Sequence, residues 1–155
     1  MTITTHPAKT RAIEFVERNQ KALAMLSDWV FYFGDLGMQE HKTSALMCDL
    51  LEEAGFNVTR GLSGFPTAFM ATYGKGDPVI AIQTEYDAAP SNSQRSGAAQ
   101  KEEVVPGAPG HREGHNVNAA VMVTGAIPIK RAMEQNKLNG TVTGGYLTGK
   151  YGTQG

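Results

Sequence analysis

The sequence has little cysteine and almost no net charge, and each scarcity excludes a class of protein. Its 155 residues include a single cysteine, Cys48, so no disulfide can form within the chain. A formal net charge of −1 leaves no broad basic surface for nucleic acid or for anionic membranes. No apolar run is long enough for a spanning helix, and the N-terminus lacks the apolar stretch of a signal peptide. We therefore expect a cytoplasmic protein with no nucleic-acid or membrane partner.

The size and composition of the chain fit one globular unit. Hydrophobic residues make up 41% of the sequence, which is enough for a core, and 155 residues leave little room for a second domain. Cys48 lies on the apolar face of a helical pattern over residues 45–51, where a buried structural thiol is expected rather than a nucleophile. The lone cysteine is therefore expected to have no catalytic role.

Hydrophobic periodicity predicts that helices and strands are mixed along the chain, which is typical of an α/β fold. Helices are predicted over residues 10–34, 41–54 and 116–135. The third is expected to be interrupted and kinked at Pro128, which lacks one backbone donor. Strands are predicted over residues 56–60, 67–73, 78–84 and 140–143.

An apolar strand followed by acidic residues marks the first candidate site. The β-branched run 78–83 predicts a buried strand, and Glu85 and Asp87 follow its C-terminal end. Open α/β sheets bind their ligands beyond the carboxyl ends of their strands. We therefore expect the two carboxylates to lie at a functional site, with a solvated strand-end acid as the alternative for Glu85.

Residues 110–116, Gly-His-Arg-Glu-Gly-His-Asn, form the most informative motif in the chain. They place His111, Glu113 and His115 within five residues, between glycines that let the backbone turn sharply. Imidazole nitrogens and carboxylate oxygens are donors for divalent ions such as zinc and manganese. The alternative is a pair of surface histidines near the start of a helix, since short motifs also arise by chance. Together with the strand-end acids, the motif predicts a divalent-metal site.

Several stretches of the sequence resemble one family of enzymes, and they follow one another in the same order. They are Leu36–Glu40, Leu51–Val58, Gly64–Phe69, Glu85–Pro90 and Gly107–Asn116, within roughly residues 20–142. Their pattern resembles the p-aminobenzoyl-glutamate hydrolase branch of the metal-dependent amidohydrolases, within the aminoacylase and carboxypeptidase superfamily. The resemblance implies a mixed sheet flanked by helices, the N-terminal part of a zinc-peptidase-like catalytic domain.

Glu113 departs from the pattern of this family. Relatives usually carry a cysteine ligand at this position, so the resemblance implies metal ligands at Glu113 and His115. Exchanging a thiolate for a carboxylate moves the preference away from zinc and toward manganese or a similar oxygen-tolerant ion. The alternative is that Glu113 marks a relative that no longer binds metal.

The resemblance also implies supporting roles for four neighbouring residues. Asp87 corresponds to the acidic residue beside the active site, which orients a ligating histidine, and it is the one residue that we assign to catalysis. His111 is not a standard ligand in the family. With Glu85 and Asn116, it is expected to contact substrate or to support the ligands. Some branches carry a histidine ligand at the position of Glu85.

The end of the sequence lacks an expected pair of acids. In relatives, the strand that corresponds to Gly140–Val142 leads to a Glu-Glu pair, which supplies the general base and a metal ligand. Residues 143–155 contain no glutamate, and Tyr151–Thr153 only faintly echoes the approach to that pair. We therefore expect residues 1–155 to be part of a metallohydrolase catalytic domain, without the lid or dimerisation domain.

These observations predict a hydrolase that uses metal-activated water to cleave a carbon–nitrogen bond. The resemblance implies that this bond is the amide of an N-acyl or aryl amino acid or of a short peptide. The first alternative is hydrolytic removal of an aromatic amino group, as in 5-nitroanthranilate aminohydrolase. The second is a non-catalytic binding protein, which a natural product of about 16.6 kDa would favour.

The expected partners are a small-molecule substrate, a manganese or zinc ion, and further copies of the full-length chain in a homo-oligomer. Trp29, Phe31 and Tyr32 form an aromatic stripe in the first predicted helix. We expect this stripe to serve core and subunit-facing packing rather than a cofactor.

Overall fold

Helices and strands occur in the predicted order. The structure is a computed structural model that describes residues 6–146. Its helices are α1 (Pro7–Phe33), α2 (His41–Glu53) and α3 (His115–Asn136), with a short 3-10 helix at Leu62–Gly64. Its strands are β1 (Asn57–Arg60), β2 (Phe69–Lys75), β3 (Val79–Gln83) and β4 (Gly140–Tyr146). None of the helices in this range is both long and apolar enough to cross a membrane.

The four strands form one mixed sheet in the order β1-β2-β4-β3. Antiparallel pairs join β1 to β2 and β2 to β4, whereas β3 runs parallel to β4. A parallel pair needs a crossover connection, and here the chain leaves β3, passes through a long loop and α3, and returns as β4. The predicted fold class, an α/β fold with a mixed sheet flanked by helices, is confirmed.

The core lies between one face of the sheet and the three helices. Its buried side chains include Val30, Met47, Leu51, Phe69, Met122 and Val142. Cys48 belongs to the same core, and burial raises the pKa of its thiol to about 11. The prediction of a buried, structural thiol at Cys48 is confirmed.

α3 is more regular than the sequence predicts. It runs without interruption from His115 to Asn136, with Pro128 inside it. The predicted interruption at Pro128 is therefore wrong. A proline removes one intrahelical hydrogen bond, and the remaining bonds and the buried face of α3 are sufficient to keep one helix.

β3 is more exposed than the sequence predicts. Val79 is 61% exposed and Ile80 is 52% exposed, so the prediction of a buried strand is wrong for the described part of the chain. β3 lies at the edge of the sheet, and within residues 6–146 it pairs only with β4. An apolar run indicates that a strand is suited to burial, but the run does not determine whether a neighbouring element covers it.

Most of the aromatic stripe of α1 lies on the surface. Trp29 is 49% exposed and Tyr32 is 58% exposed, whereas Phe31 is half-buried and packs edge-on against Tyr32. The expected core packing is therefore wrong for Trp29 and Tyr32. Subunit-facing packing stays a prediction.

Candidate metal centre

Short backbone pairings bring the two candidate segments together. Ala89 and Gly110 exchange two backbone hydrogen bonds of 3.0 Å, and the Ala88 N–H donates to the Asp35 carbonyl at 2.7 Å. Only glycine fits at residue 110, because an added Cβ would lie 2.0 Å from the carbonyl oxygen of Asn92. These contacts hold the segment that follows β3 against the start of α3.

His115 is the first residue of α3 and lies at the centre of the site. Gly114 precedes it with a φ of 82°, a left-handed conformation that favours glycine and turns the chain from loop to helix. The His115 ring is buried, and its Nδ1 lies 3.0 Å from Asp87 Oδ1 and 3.1 Å from the Asp87 carbonyl oxygen. Both oxygens are acceptors, so Nδ1 donates the hydrogen. Nε2 is therefore the ring nitrogen that can face a metal ion.

Two partly exposed carboxylates lie on the Nε2 side of the ring. Glu85 Oε2 is 3.0 Å from His115 Nε2, and Glu113 Oε2 is 3.8 Å from the same nitrogen. The side chains of Glu85 and Glu113 are 40% and 38% exposed, whereas the Asp87 side chain is completely buried. The site therefore has a closed side at Asp87 and an open side at the two glutamates.

The residues present fit part of a metal-binding donor set. One imidazole nitrogen and two carboxylates suit an oxygen-tolerant divalent ion, and a histidine whose other nitrogen binds a carboxylate is the usual form of a metal-ligating histidine. Within residues 6–146, no three His, Cys, Asp or Glu side chains are arranged to hold a metal ion. Glu85 Oε2 lies within hydrogen-bonding distance of His115 Nε2, the nitrogen that would bind the ion. Metal binding therefore requires Glu85 to move or to share the ion.

His111 and Asn116 direct their hydrogen bonds to α1 rather than to His115. The His111 Nε2–H donates to the Val30 carbonyl at 3.0 Å, and Nδ1 is buried without a hydrogen-bond partner among the described residues. Burial lowers the pKa of the His111 ring. The Asn116 amide donates to Ser27 Oγ at 2.9 Å and so ties α3 to α1. Contacts of His111 and Asn116 with substrate stay predictions.

A second buried polar cluster was not predicted from the sequence. Glu40 is completely buried just before α2, and its carboxylate accepts hydrogen bonds from the Tyr146 hydroxyl and, at 2.5 Å, from Thr67 Oγ1. The Tyr86 hydroxyl donates to the Thr67 carbonyl at 2.7 Å, and the rings of Tyr86 and Tyr146 lie 3.9 Å apart. Burial raises the pKa of both tyrosines, so both hydroxyls stay protonated donors.

This cluster stabilises the chain segment that carries Glu85 and Asp87. Tyr86 stands between Glu85 and Asp87 in the sequence, and its hydroxyl is bonded to Thr67 while its two neighbours reach His115. Fixing Tyr86 in the core therefore also fixes the segment that carries Asp87. Residues 36–40 matched the family pattern, but that pattern gave no signal that Glu40 would be buried.

A curated protein is similar to most of this chain. The chain is 36% identical over 127 residues to the B subunit of p-aminobenzoyl-glutamate hydrolase from Escherichia coli strain K12. This match supports the resemblance to the p-aminobenzoyl-glutamate hydrolase branch of the amidohydrolases. The match covers 82% of this chain but 26% of the relative, so the chain spans about a quarter of that curated protein. No model of a protein family matches the chain.

Three solved structures share the fold. A dinuclear metal-binding peptidase of the M20 family from Bacillus subtilis is 23% identical, with a TM-score of 0.68 over 84% of this chain and 35% of that protein. A putative aminohydrolase from methicillin-resistant Staphylococcus aureus is 18% identical, with a TM-score of 0.72 over 88% of this chain and 34% of that protein. An aminobenzoyl-glutamate utilization protein from Klebsiella pneumoniae is 12% identical, with a TM-score of 0.56 over 88% of this chain and 38% of that protein. The fold of these relatives matches the sheet and helices described above.

Proposed function

We propose that the full-length protein is a metal-dependent hydrolase that cleaves a carbon–nitrogen bond. The observation that carries the proposal is the buried Asp87–His115 pair, with two carboxylates beside the remaining ring nitrogen. The curated relative is named as a hydrolase of p-aminobenzoyl-glutamate, an aryl amide of an amino acid. Residues 1–155 then contribute part of the catalytic domain, and the lid or dimerisation domain lies outside them.

His115 and Glu113 are the proposed metal ligands in this chain. A divalent ion held by these residues would polarise the scissile group and activate water near neutral pH. A thiolate at residue 113 would favour zinc. With a carboxylate oxygen there instead, beside one imidazole nitrogen, the preference moves toward manganese or a similar ion. The B. subtilis neighbour is described as binding two metal ions, which supports the use of metal in this fold.

Asp87 and Glu85 have different proposed tasks. Asp87 is a positioning residue, because its buried carboxylate accepts from His115 Nδ1 and holds the ring in one tautomer. Glu85 lies on the open side, where its carboxylate can meet a substrate or the ion. The general base is expected from the Glu-Glu pair of the relatives, which residues 143–155 do not contain.

The proposed substrates are amides of N-acyl or aryl amino acids and short peptides. Glu113 in the place of the usual cysteine leaves room for one second candidate, the removal of an aromatic amino group as in 5-nitroanthranilate aminohydrolase. An electron-poor ring carbon would be open to attack by activated water, as an amide carbon is. An assay therefore has to offer both kinds of bond.

The test uses full-length protein stripped of metal and reloaded with manganese or zinc. We expect metal-dependent hydrolysis of p-aminobenzoyl-glutamate or N-acetyl amino acids, with less activity in the zinc form. Turnover of 5-nitroanthranilate alone would select the second candidate. Full metal occupancy without turnover of any of these substrates would favour a non-catalytic binding protein.

The 155-residue segment is a matched control for this assay. It should hydrolyse these substrates slower by about 10²–10⁴-fold or more, because the loss of a general base alone costs about that much. Comparable rates would mean that the base lies within residues 1–155. The Glu113→Cys variant should shift metal preference from manganese toward zinc in competition titrations, and an unchanged order would remove Glu113 from the ligands.

The assembly of the full-length protein also remains a proposal. The curated relative is named as the B subunit of its enzyme. We expect a homo-oligomer in which Trp29 and Tyr32 of the exposed stripe contact another copy of the chain. Light scattering on the intact protein and on a Trp29→Ser, Tyr32→Ser variant checks this expectation, and an unchanged mass for the variant would contradict it.

A further inference from the structure

A cleft between α1 and α3 lies far from the candidate metal centre. The two helices are antiparallel, because Arg11 near the start of α1 donates to Gln135 near the end of α3, whereas Asn116 at the start of α3 bonds Ser27. The cleft is lined by residues around Arg11 and Gln135. Sixteen residues separate Arg11 from Ser27 along α1, which corresponds to about 24 Å at 1.5 Å per residue.

Arginine dominates the charge of this cleft. Three of the six arginines in the sequence line it, Arg11, Arg18 and Arg131, together with one carboxylate, Glu14. Glu14 lies 3.6 Å from the Arg18 guanidinium, and both side chains are about half exposed or more. An exposed pair of this kind is screened by solvent and neutralises little of the local charge.

The cleft arginines differ from the other arginines in their partners. Arg60, Arg95 and Arg112 each lie within 4.0 Å of a carboxylate. Arg11 and Arg131 have no carboxylate within that distance in the described part of the chain. Among the described residues, the cleft therefore keeps two arginines that form no salt bridge, and the charge of Arg131 acts on Glu134 only from a longer distance, where it helps to lower the pKa of that carboxyl.

Neutral groups hold these two side chains in place. Arg11 donates to the Gln135 amide oxygen at 2.9 Å, and the guanidinium of Arg131 lies over the ring of Phe15, 4.6 Å from its centroid. Stacking covers one face of a guanidinium and leaves its N–H groups available at the edge of the plane. Both arginines are thus partly ordered before any anion arrives, which lowers the entropy lost on binding.

We propose that this cleft binds a small molecule through a phosphate-type oxyanion. Guanidinium groups donate paired hydrogen bonds to phosphate oxygens, and two or three of them match a multiply charged group better than a single carboxylate. The cleft has a volume of about 740 Å³ and is open to solvent, which is within the range of small-molecule sites. The net charge of −1 argues against a nucleic acid as the occupant.

The experiment is an NMR titration of the intact protein with inorganic pyrophosphate at low ionic strength. We expect saturable shifts in the residues of the cleft and an affinity that falls at least tenfold in an Arg11→Gln, Arg131→Gln variant. The matched control is Arg95→Gln, which removes an arginine already paired with Glu102 and should bind as the parent does. Arg131→Lys keeps the charge but loses the planar fork, and should give an intermediate affinity.

Other outcomes would overturn the proposal. Equal affinity of the parent and the double variant for pyrophosphate would mean that the anion binds outside the cleft. Chemical shifts that change without saturating would mean that pyrophosphate is attracted only by general charge and has no specific site. Succinate binding as tightly as pyrophosphate would remove the preference for phosphate. If an oligonucleotide bound more tightly than pyrophosphate, the ligand of the cleft would be a nucleic acid and not a small molecule. If the double variant fails to fold, the same comparison is made between Arg131→Lys and Arg95→Gln.

Discussion

β3 and the segment that follows it differ sharply in burial. Val79 and Ile80 of β3 are more than half exposed, whereas residues 86–89 are all buried. The candidate site repeats the contrast, since Asp87 is buried against His115 Nδ1 and Glu85 is partly exposed beside Nε2. Residues 6–146 thus build a closed, fixed side of the site and leave its other side open to substrate and to further donors.

The largest expected effect is slow chemical modification of Cys48, which lies in the buried region of the molecule. With a pKa of about 11, about one thiol in a thousand is ionised at pH 8, against roughly a quarter for an ordinary thiol of pKa about 8.5. A thiol reagent should therefore modify Cys48 more than about 100-fold slower in the folded chain than in urea. Absorbance of the released chromophore measures both rates. Similar rates in the two states would mean that the core around Cys48 opens freely.

The next effect compares the two carboxylates that face His115. Asp87→Ala in the full-length protein should lower metal affinity by about 10–100-fold, because His115 loses the group that orients it. Glu85→Ala should lower the affinity less, since Glu85 lies on the partly exposed side and is not one of the proposed ligands. Chelator competition gives both affinities. A larger loss for Glu85→Ala would make Glu85 a ligand and reverse the roles of the two carboxylates.

The smallest effect compares two residues that are opposite each other in the sheet. Val142 is buried and Ile80, its partner in the parallel pair, is half exposed. Val142→Ala should cost about 1–3 kcal/mol of unfolding free energy, and Ile80→Ala less than about 1 kcal/mol. Urea unfolding of the 155-residue chain measures both. Equal costs would show that another surface covers β3 in solution.

Most of the fold could be predicted from the sequence, because local patterns determine its helices and strands. Apolar spacing placed each element within a few residues, and the Gly-rich motif placed Glu113 and His115 at the entrance of α3. The pairing of Asp87 with His115 came from the family resemblance rather than from spacing, since 28 residues separate the two.

Contacts between distant residues explain what the sequence did not predict. Glu40 becomes buried through Tyr146, which is 106 residues away, and no local pattern indicates that pairing. The exposure of β3 depends on which elements lie beside it, and the apolar run 78–83 carries no information on that point. The persistence of α3 through Pro128 likewise depends on packing against the rest of the chain.

The metal content of the full-length protein and of its His115→Ala variant tests the proposed site most directly. Elemental analysis after dialysis should find stoichiometric manganese or zinc in the parent protein and none in the variant, because the variant loses the nitrogen that Asp87 orients. Circular dichroism of both proteins controls for folding. The same metal content in a folded variant would contradict the assignment of His115 as a ligand, and with it the proposed site.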